Sequence, residues 1–243
     1  MDYQSLQGHL GELRTRLIRM ALILCLVFVS LAYLAIPIGN VLLIPLKHIL
    51  GDSGKIVFLN VFDQVIAMFQ ISAWATLVIT LPLWLRELWG FVRPALHKHE
   101  IRVVRSLILL GLILFYVGLV FGYWLLVPAT IKVMLSFGFL GIEATIGLKD
   151  YLAFVCQLII ISGVIFQIPL ILLGLSLVGV ISKDLLSQSR RYAYVILAVV
   201  AAVITPADVF TMIIVWVPLI ALFELGILAV TVLGPFILKK THT

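Results

Sequence analysis

Charge is what this chain has least of. Asp, Glu, Lys and Arg make up 12% of its 243 residues, against 63% hydrophobic residues. So few charges cannot cover a water-soluble surface, which excludes an ordinary soluble domain. Cysteine is nearly absent too. Cys25 and Cys156 sit in separate apolar runs without C-x-x-C spacing, which argues against a disulfide framework or thiolate metal site and reads as two small buried residues. Neither G-x-x-x-x-G-K-[ST] nor G-x-G-x-x-G occurs, so no phosphate loop is recognisable. There is no H-E-x-x-H, and none of His9, His48, His97, His99 and His242 falls within a long apolar run. That removes the base an intramembrane serine or zinc hydrolase would need. Neither a metal site, a cofactor nor an enzymatic centre is expected.

What the chain does have is apolar sequence in unbroken blocks, and about twenty residues at ~1.5 Å each match a ~30 Å hydrocarbon core. These runs are apolar on every side, whereas membrane barrel strands alternate over about ten residues. The expected fold is all-α: one polytopic membrane domain over residues 1–243, with six spans at about 17–36, 65–85, 106–127, 151–180, 192–205 and 209–233. The first run exceeds a signal-peptide core and ends in AIPIGN without a small-x-small site, so it reads as an uncleaved span. Thirteen Lys and Arg fall in the N-terminus, the second and fourth connections and the tail, and four in the remaining connections. With five acids on each side and Glu224 inside the last run, the two faces carry +8 and −1. Basic residues are held on the cytoplasmic side, which places both termini there. The net +6 thus describes a membrane asymmetry, not affinity for nucleic acid. Two spans have unusual lengths. The fourteen residues between Arg191 and Pro206 reach only about 21 Å as a helix. The thirty of the fourth span reach about 45 Å and contain Pro169, which favours a bend. Together these lengths describe a concave, asymmetric wall.

Polar groups inside such runs are costly and become functional candidates. Glu224, in PLIALFELG, is the only formal charge well inside one; a carboxylate reaching the headgroups and a partner or gating role both fit. Gln167, in VIFQIPL, lies near the midplane, where an amide bridges helices at well under ~2 kcal/mol, so structural glue and function again both fit. Gln70 and Gln157 lean to structure, and the five Trp fall mostly near span ends, where aromatic rings anchor at the interface. On the basic face, Glu12 stands four residues before Arg16, the spacing of a helical ion pair of ~0.3–0.5 kcal/mol. Glu100 similarly has Arg102 and Arg105 close by. A sharper alternative exists: a carboxylate in a partly desolvated surface pocket holds a guanidinium through two parallel hydrogen bonds, and so tells arginine from lysine.

HLGELRTRL near the N-terminus, FVRPALHKHE at 91–100, FYVGLVFGYWLLVP at 115–128, and TPADVF with VPLIALFELG at 205–226 resemble, in order, the blocks of the TatC family. That family is the polytopic subunit of the twin-arginine protein translocase. The resemblance implies a receptor for signal peptides bearing paired arginines, located in the cytoplasmic membrane of a prokaryote and driven by the proton-motive force. Its implied partners are folded precursor proteins and TatB-like and TatA-like single-span proteins, in an oligomeric complex within the lipid bilayer. It further implies that Glu12 and Glu100 receive the paired arginines, with Arg14, Phe91, Pro94 and Leu96 nearby. Pro45 matches a functionally sensitive proline of the first outer loop, and Asp208 an aspartate of the last outer turn. The family fold is likened to a cupped hand whose short fifth and sixth helices dock partners. The chain departs from the pattern at Gln167, where the family usually has glutamate, at Gln70, often lysine, and at Met212, often glutamine. Two intramembrane charges have thus become amides, which bears on any mechanism needing a titrating group at the midplane. The alternative function is a six-span permease for a small solute. Such a permease needs several midplane polar groups or paired broken helices in two halves, and no internal repeat is detectable here.

Overall fold

A computed structural model describes residues 3–51, 55–92, 98–136, 145–177, 179–205 and 209–241, with the side chains at 3–10, 12–13, 88, 91–92, 98–100, 102–103 and 233–241 outside the description. The elements are α1 (Tyr3–Tyr33), α2 (Ala35–Leu50), β1 (Lys55–Val57), α3 (Asp63–Val92), α4 (Lys98–Phe121), a π-helical turn (Gly122–Leu126), α5 (Val127–Ser136), β2 (Thr145–Gly147), α6 (Leu148–Ile165), α7 (Ile168–Leu177), α8 (Lys183–Gln188), α9 (Arg190–Ile204) and α10 (Val209–Thr241). Among the described residues, five stretches are long and apolar enough to cross a bilayer: Arg14–Tyr33, Asp63–Glu87, Val104–Ser136, Leu148–Leu177 and Val209–Val232. The expected span at 192–205 corresponds to α9, whose 15 residues extend about 22 Å.

Three local features differ from the sequence reading. The first connection contains a 16-residue helix, α2. The all-α expectation also missed a parallel pair, in which Lys55 of β1 lies opposite Thr145 of β2. The third span runs on to Ser136 because the chain takes a π turn just before Pro128. Proline cannot donate to the carbonyl four residues back, and its ring clashes with it; one extra residue in the turn relieves both.

Membrane helices gain little from burying apolar surface against apolar lipid, so close backbone approach and interhelical hydrogen bonds hold them together. A Cβ on Gly118 of α4 would stand 2.8 Å from both Gly163 Cα and Ser162 O of α6. Ser162 Oγ in turn donates to Gly118 O at 2.7 Å. Gly226 does the same for α10, where a Cβ would lie 3.1 Å from Pro169 Cα of α7. The core gathers where α2, α5, α6, α7 and α10 meet, around Leu46, Val127, Val155, Leu173 and Leu219. Exposed side chains are equally apolar, Leu26, Ile113 and Val203 among them, as lipid contact demands. Cys156 is buried, but Cys25 is exposed on α1, correcting the expectation that both are buried.

Prolines inside α2 and α3 leave carbonyls without helical donors. Pro82 frees Val78 O, and Tyr116 OH donates to it at 3.0 Å. Pro45 frees Val41 O, which accepts from Tyr123 OH at 2.8 Å, and Tyr151 OH reaches the adjacent Leu42 O at 2.9 Å. Buried Ser72, Thr76 and Thr80 on α3 each donate to the carbonyl one turn earlier. These three hydroxyls are therefore satisfied within their own helix.

Gly118→Ala forces Cβ into the backbone of α6. It is expected to destabilise the detergent-solubilised protein by about 1–3 kcal/mol, read as a lower thermal unfolding midpoint. Gly174→Ala, where no atom lies within 4 Å of the added Cβ, is the control and should show no loss.

Candidate functional site

Four of the expected binding residues fall on three helices. Glu12 and Arg14 lie on α1, Phe91 near the end of α3 and Glu100 in the first turn of α4. Arg14 is exposed, the side chains of Glu12, Phe91 and Glu100 are outside the described set, and Pro94 and Leu96 lie outside the described residues altogether.

Next to them the structure places an acid that sequence reasoning did not single out. Arg16 Nη1 donates to Glu87 O at 3.1 Å and to Glu87 Oε2 at 3.3 Å, and Arg19 Nη1 lies 3.7 Å from Oε1. Thr15, Arg16, Arg19, Arg86, Glu87 and Gly90 line a cleft of about 320 Å³ between α1 and α3. Glycine at 90 is what admits the guanidinium, since a Cβ there would stand 2.5 Å from Arg16 Nη1. Glu87 was one acid among five on the basic face, with no motif around it. The usable signal was spacing: it lies one turn before Phe91, as Arg16 lies one turn after Glu12, so facing turns of α1 and α3 bring opposite charges together.

Glu224 is held within the chain. Its Oε2 accepts from Arg190 Nη2 at 3.0 Å and its Oε1 from Tyr194 OH at 2.5 Å. Trp216 Nε1 donates to Tyr194 O at 2.9 Å, and the Tyr194 ring meets Phe223 edge-on. This cluster fastens α9 to α10 near the start of α9. Gln167 occupies the break between α6 and α7, where its Nε2 donates to Gly111 O of α4 at 3.1 Å. Gln70 Oε1 is buried without a hydrogen bond. Pro45 acts through the carbonyl it frees, as described above, and Asp208 lies outside the described residues. On the opposite face, buried Asp63 accepts from the N–H groups of Leu59 and Asn60 at 3.0 and 2.8 Å, with Lys149 Nζ 3.3 Å away. Among the described residues, no three His, Cys, Asp or Glu side chains gather as a metal site requires.

Long apolar helices packed through small residues and bridged by ion pairs define a polytopic helical membrane protein. Residues 8–218 match the family model of the Sec-independent protein translocase protein (TatC), and the chain belongs to that family. The Sec-independent protein translocase protein TatC of Listeria innocua is 36% identical over 228 residues, covering 92% of this chain and 90% of the relative. TatCy of Bacillus subtilis is 35% identical, with 94% and 89% covered, and TatC of Escherichia coli K12 is 32% identical, with 93% and 88% covered. A crystal structure of a twin arginine translocase receptor, TatC, is 30% identical, with TM-score 0.76 over 97% of this chain and 100% of that one. A second, in DDM, superposes with TM-score 0.78 over 90% and 98%. The chain is therefore a multi-pass protein of the bacterial cytoplasmic membrane and a component of the Sec-independent protein translocase, a transport protein.

Two measurements examine the polar contacts. Gln167→Leu removes the donor to Gly111 O; precursor capture should persist while thermal stability falls by about 0.5–1.5 kcal/mol. Loss of capture by a folded variant would assign Gln167 a role beyond structure. Tyr194→Phe and Glu224→Gln should be non-additive in a double-mutant cycle, with a coupling of about 0.5–1 kcal/mol in the unfolding free energy. Strict additivity would mean that the two groups do not interact.

Proposed function

We propose that this chain is the signal-peptide receptor and core scaffold of the twin-arginine translocase, exporting folded proteins with the proton-motive force. The observation that carries this reading is the sequence match over residues 8–218, which includes the ELR and HKHE blocks holding Glu12 and Glu100. In this reading both carboxylates bind the paired arginines, with Arg14, Phe91, Pro94 and Leu96 shaping the surrounding surface. The physical basis is scarcity. On a face carrying +8, basic peptides are repelled in general, and only a guanidinium placed for paired hydrogen bonds to a carboxylate gains enough to stay.

The proposed topology has a single domain with six spans, both termini cytoplasmic and a cupped arrangement in which α9 is the short fifth span and α10 the sixth. TatB-like and TatA-like single-span helices dock on these two, in an oligomeric complex. Support comes from the outward face of α9, where Tyr192, Val195, Ile196, Val199 and Val203 are all exposed at helical spacing and offer an apolar stripe to a partner helix. Pro45 and Asp208 serve the opposite face. A solute permease finds no comparable support, because the Gln167 amide is already engaged by Gly111.

Glu12→Ala or Glu100→Ala is expected to weaken crosslinking to a paired-arginine precursor roughly tenfold, while membrane insertion stays intact; losing a charge-assisted hydrogen bond costs about 1.5–3 kcal/mol. Unchanged crosslinking in the double variant refutes the assignment. A precursor carrying paired lysines should co-purify poorly with the parent chain, since an ammonium cannot make the bidentate contact.

A further inference from the structure

We propose that the groove between α3 and α4, at the end where Arg86 and Arg105 lie, binds one anionic phospholipid of the inner leaflet. The groove measures about 170 Å³. Its floor is apolar, formed by Leu85, Ile108 and Leu112 with Trp89 beside them, and Arg86 and Arg105 line the same space. Pro82, also in the lining, interrupts α3 there.

Depth along the helices identifies the ligand. Arg86 is the penultimate residue of the apolar stretch Asp63–Glu87, and Arg105 is the second residue of Val104–Ser136. Both guanidiniums therefore sit at one level, where hydrocarbon gives way to headgroups. Trp89 lies just beyond, where tryptophan settles at the membrane interface. Leu112 lies seven residues further into the bilayer, about 10 Å along the helix, so the groove continues in the direction an acyl chain takes.

Charge sets the lipid class. Arg16, Arg19 and Arg190 are each matched to a carboxylate, whereas Arg86 and Arg105 are exposed and pair with no acid among the described residues. Two uncompensated guanidiniums above an apolar slot suit a phosphate carrying a full negative charge. A choline headgroup would bring a cation into the same space and lose that advantage. The inference rests on the proposed orientation for naming the leaflet, but the chemistry of the slot does not depend on it.

The test uses the full chain in phosphatidylcholine nanodiscs containing a small fraction of phosphatidylglycerol brominated on its acyl chains. Bromine quenches a tryptophan it touches, and Trp89→Phe isolates the contribution of Trp89. Brominated phosphatidylglycerol should quench that component at mole fractions roughly tenfold lower than brominated phosphatidylcholine. R86Q/R105Q should erase the preference. Ile108→Phe, which narrows the slot and keeps both guanidiniums, should reduce quenching by either lipid. Equal quenching by the two lipids in the parent chain overturns the proposal, as does a preference that survives R86Q/R105Q. Displacement of the brominated lipid by inorganic phosphate at constant ionic strength also overturns it, since the site would then belong to a free anion. Precursor capture is not part of the readout, so failure here leaves the receptor function standing, and loss of that function leaves this site standing.

Discussion

In hydrocarbon, a carbonyl without a donor has no water to turn to, and each one left bare costs several kcal/mol. Proline inside a helix makes such carbonyls, and this fold keeps several prolines in its helices. The answer is long-range: tyrosine hydroxyls on one helix satisfy the carbonyls that prolines free on another. Tyr116 serves the break at Pro82, and Tyr123 the break at Pro45. Tyr116 belongs to α4 and Tyr123 to the π turn that continues it, so this one long segment both tolerates its own proline and repairs those of its neighbours. With Gly118 and Gly122 pressed against α6, it is the spine on which α2, α3 and α6 are hung.

Charge is organised by the same economy. Among the described residues, the ion pairs made by Arg16, Arg19, Lys149 and Arg190 each cross between helices. Arg16 and Arg19 join α1 to α3 through Glu87, Arg190 joins α9 to α10 through Glu224, and Lys149 joins α6 to α3 through Asp63. The more exposed of these, Arg19 with Glu87 and Arg190 with Glu224, contribute little to stability one by one. The joint effect of these ion pairs is to fix which helices face one another, α1 against α3, α9 against α10 and α6 against α3.

Much of this was legible before any coordinates. Blocks of apolar residues declared helices long enough to span, and the fourteen residues before Pro206 declared one that is not. Pro169 announced the break now seen between α6 and α7. The hidden parts depended on contacts distant in sequence. No periodicity marks β1, because three residues are too few to establish alternation and their partner lies beyond α3, α4 and α5. The π turn was invisible because Pro128 reads equally well as the end of a span. Glu87 went unremarked because its partners come from α1, and Glu224 looked like a lone intramembrane acid because Arg190 and Tyr194 are more than a turn of sequence away. Of the binding residues, composition and spacing supplied only a rationale; their grouping came from the family blocks.

The parallel pairing of β1 with β2 sets an order of assembly. Its strands come from the first and third connections, with α3, α4 and α5 between them. The clasp therefore cannot close until both connections have been carried to the same side of the bilayer and the intervening hairpin has settled. A chain stalled halfway through insertion has its first strand waiting without a mate. Closure of this small sheet thus waits on the placement of α3, α4 and α5.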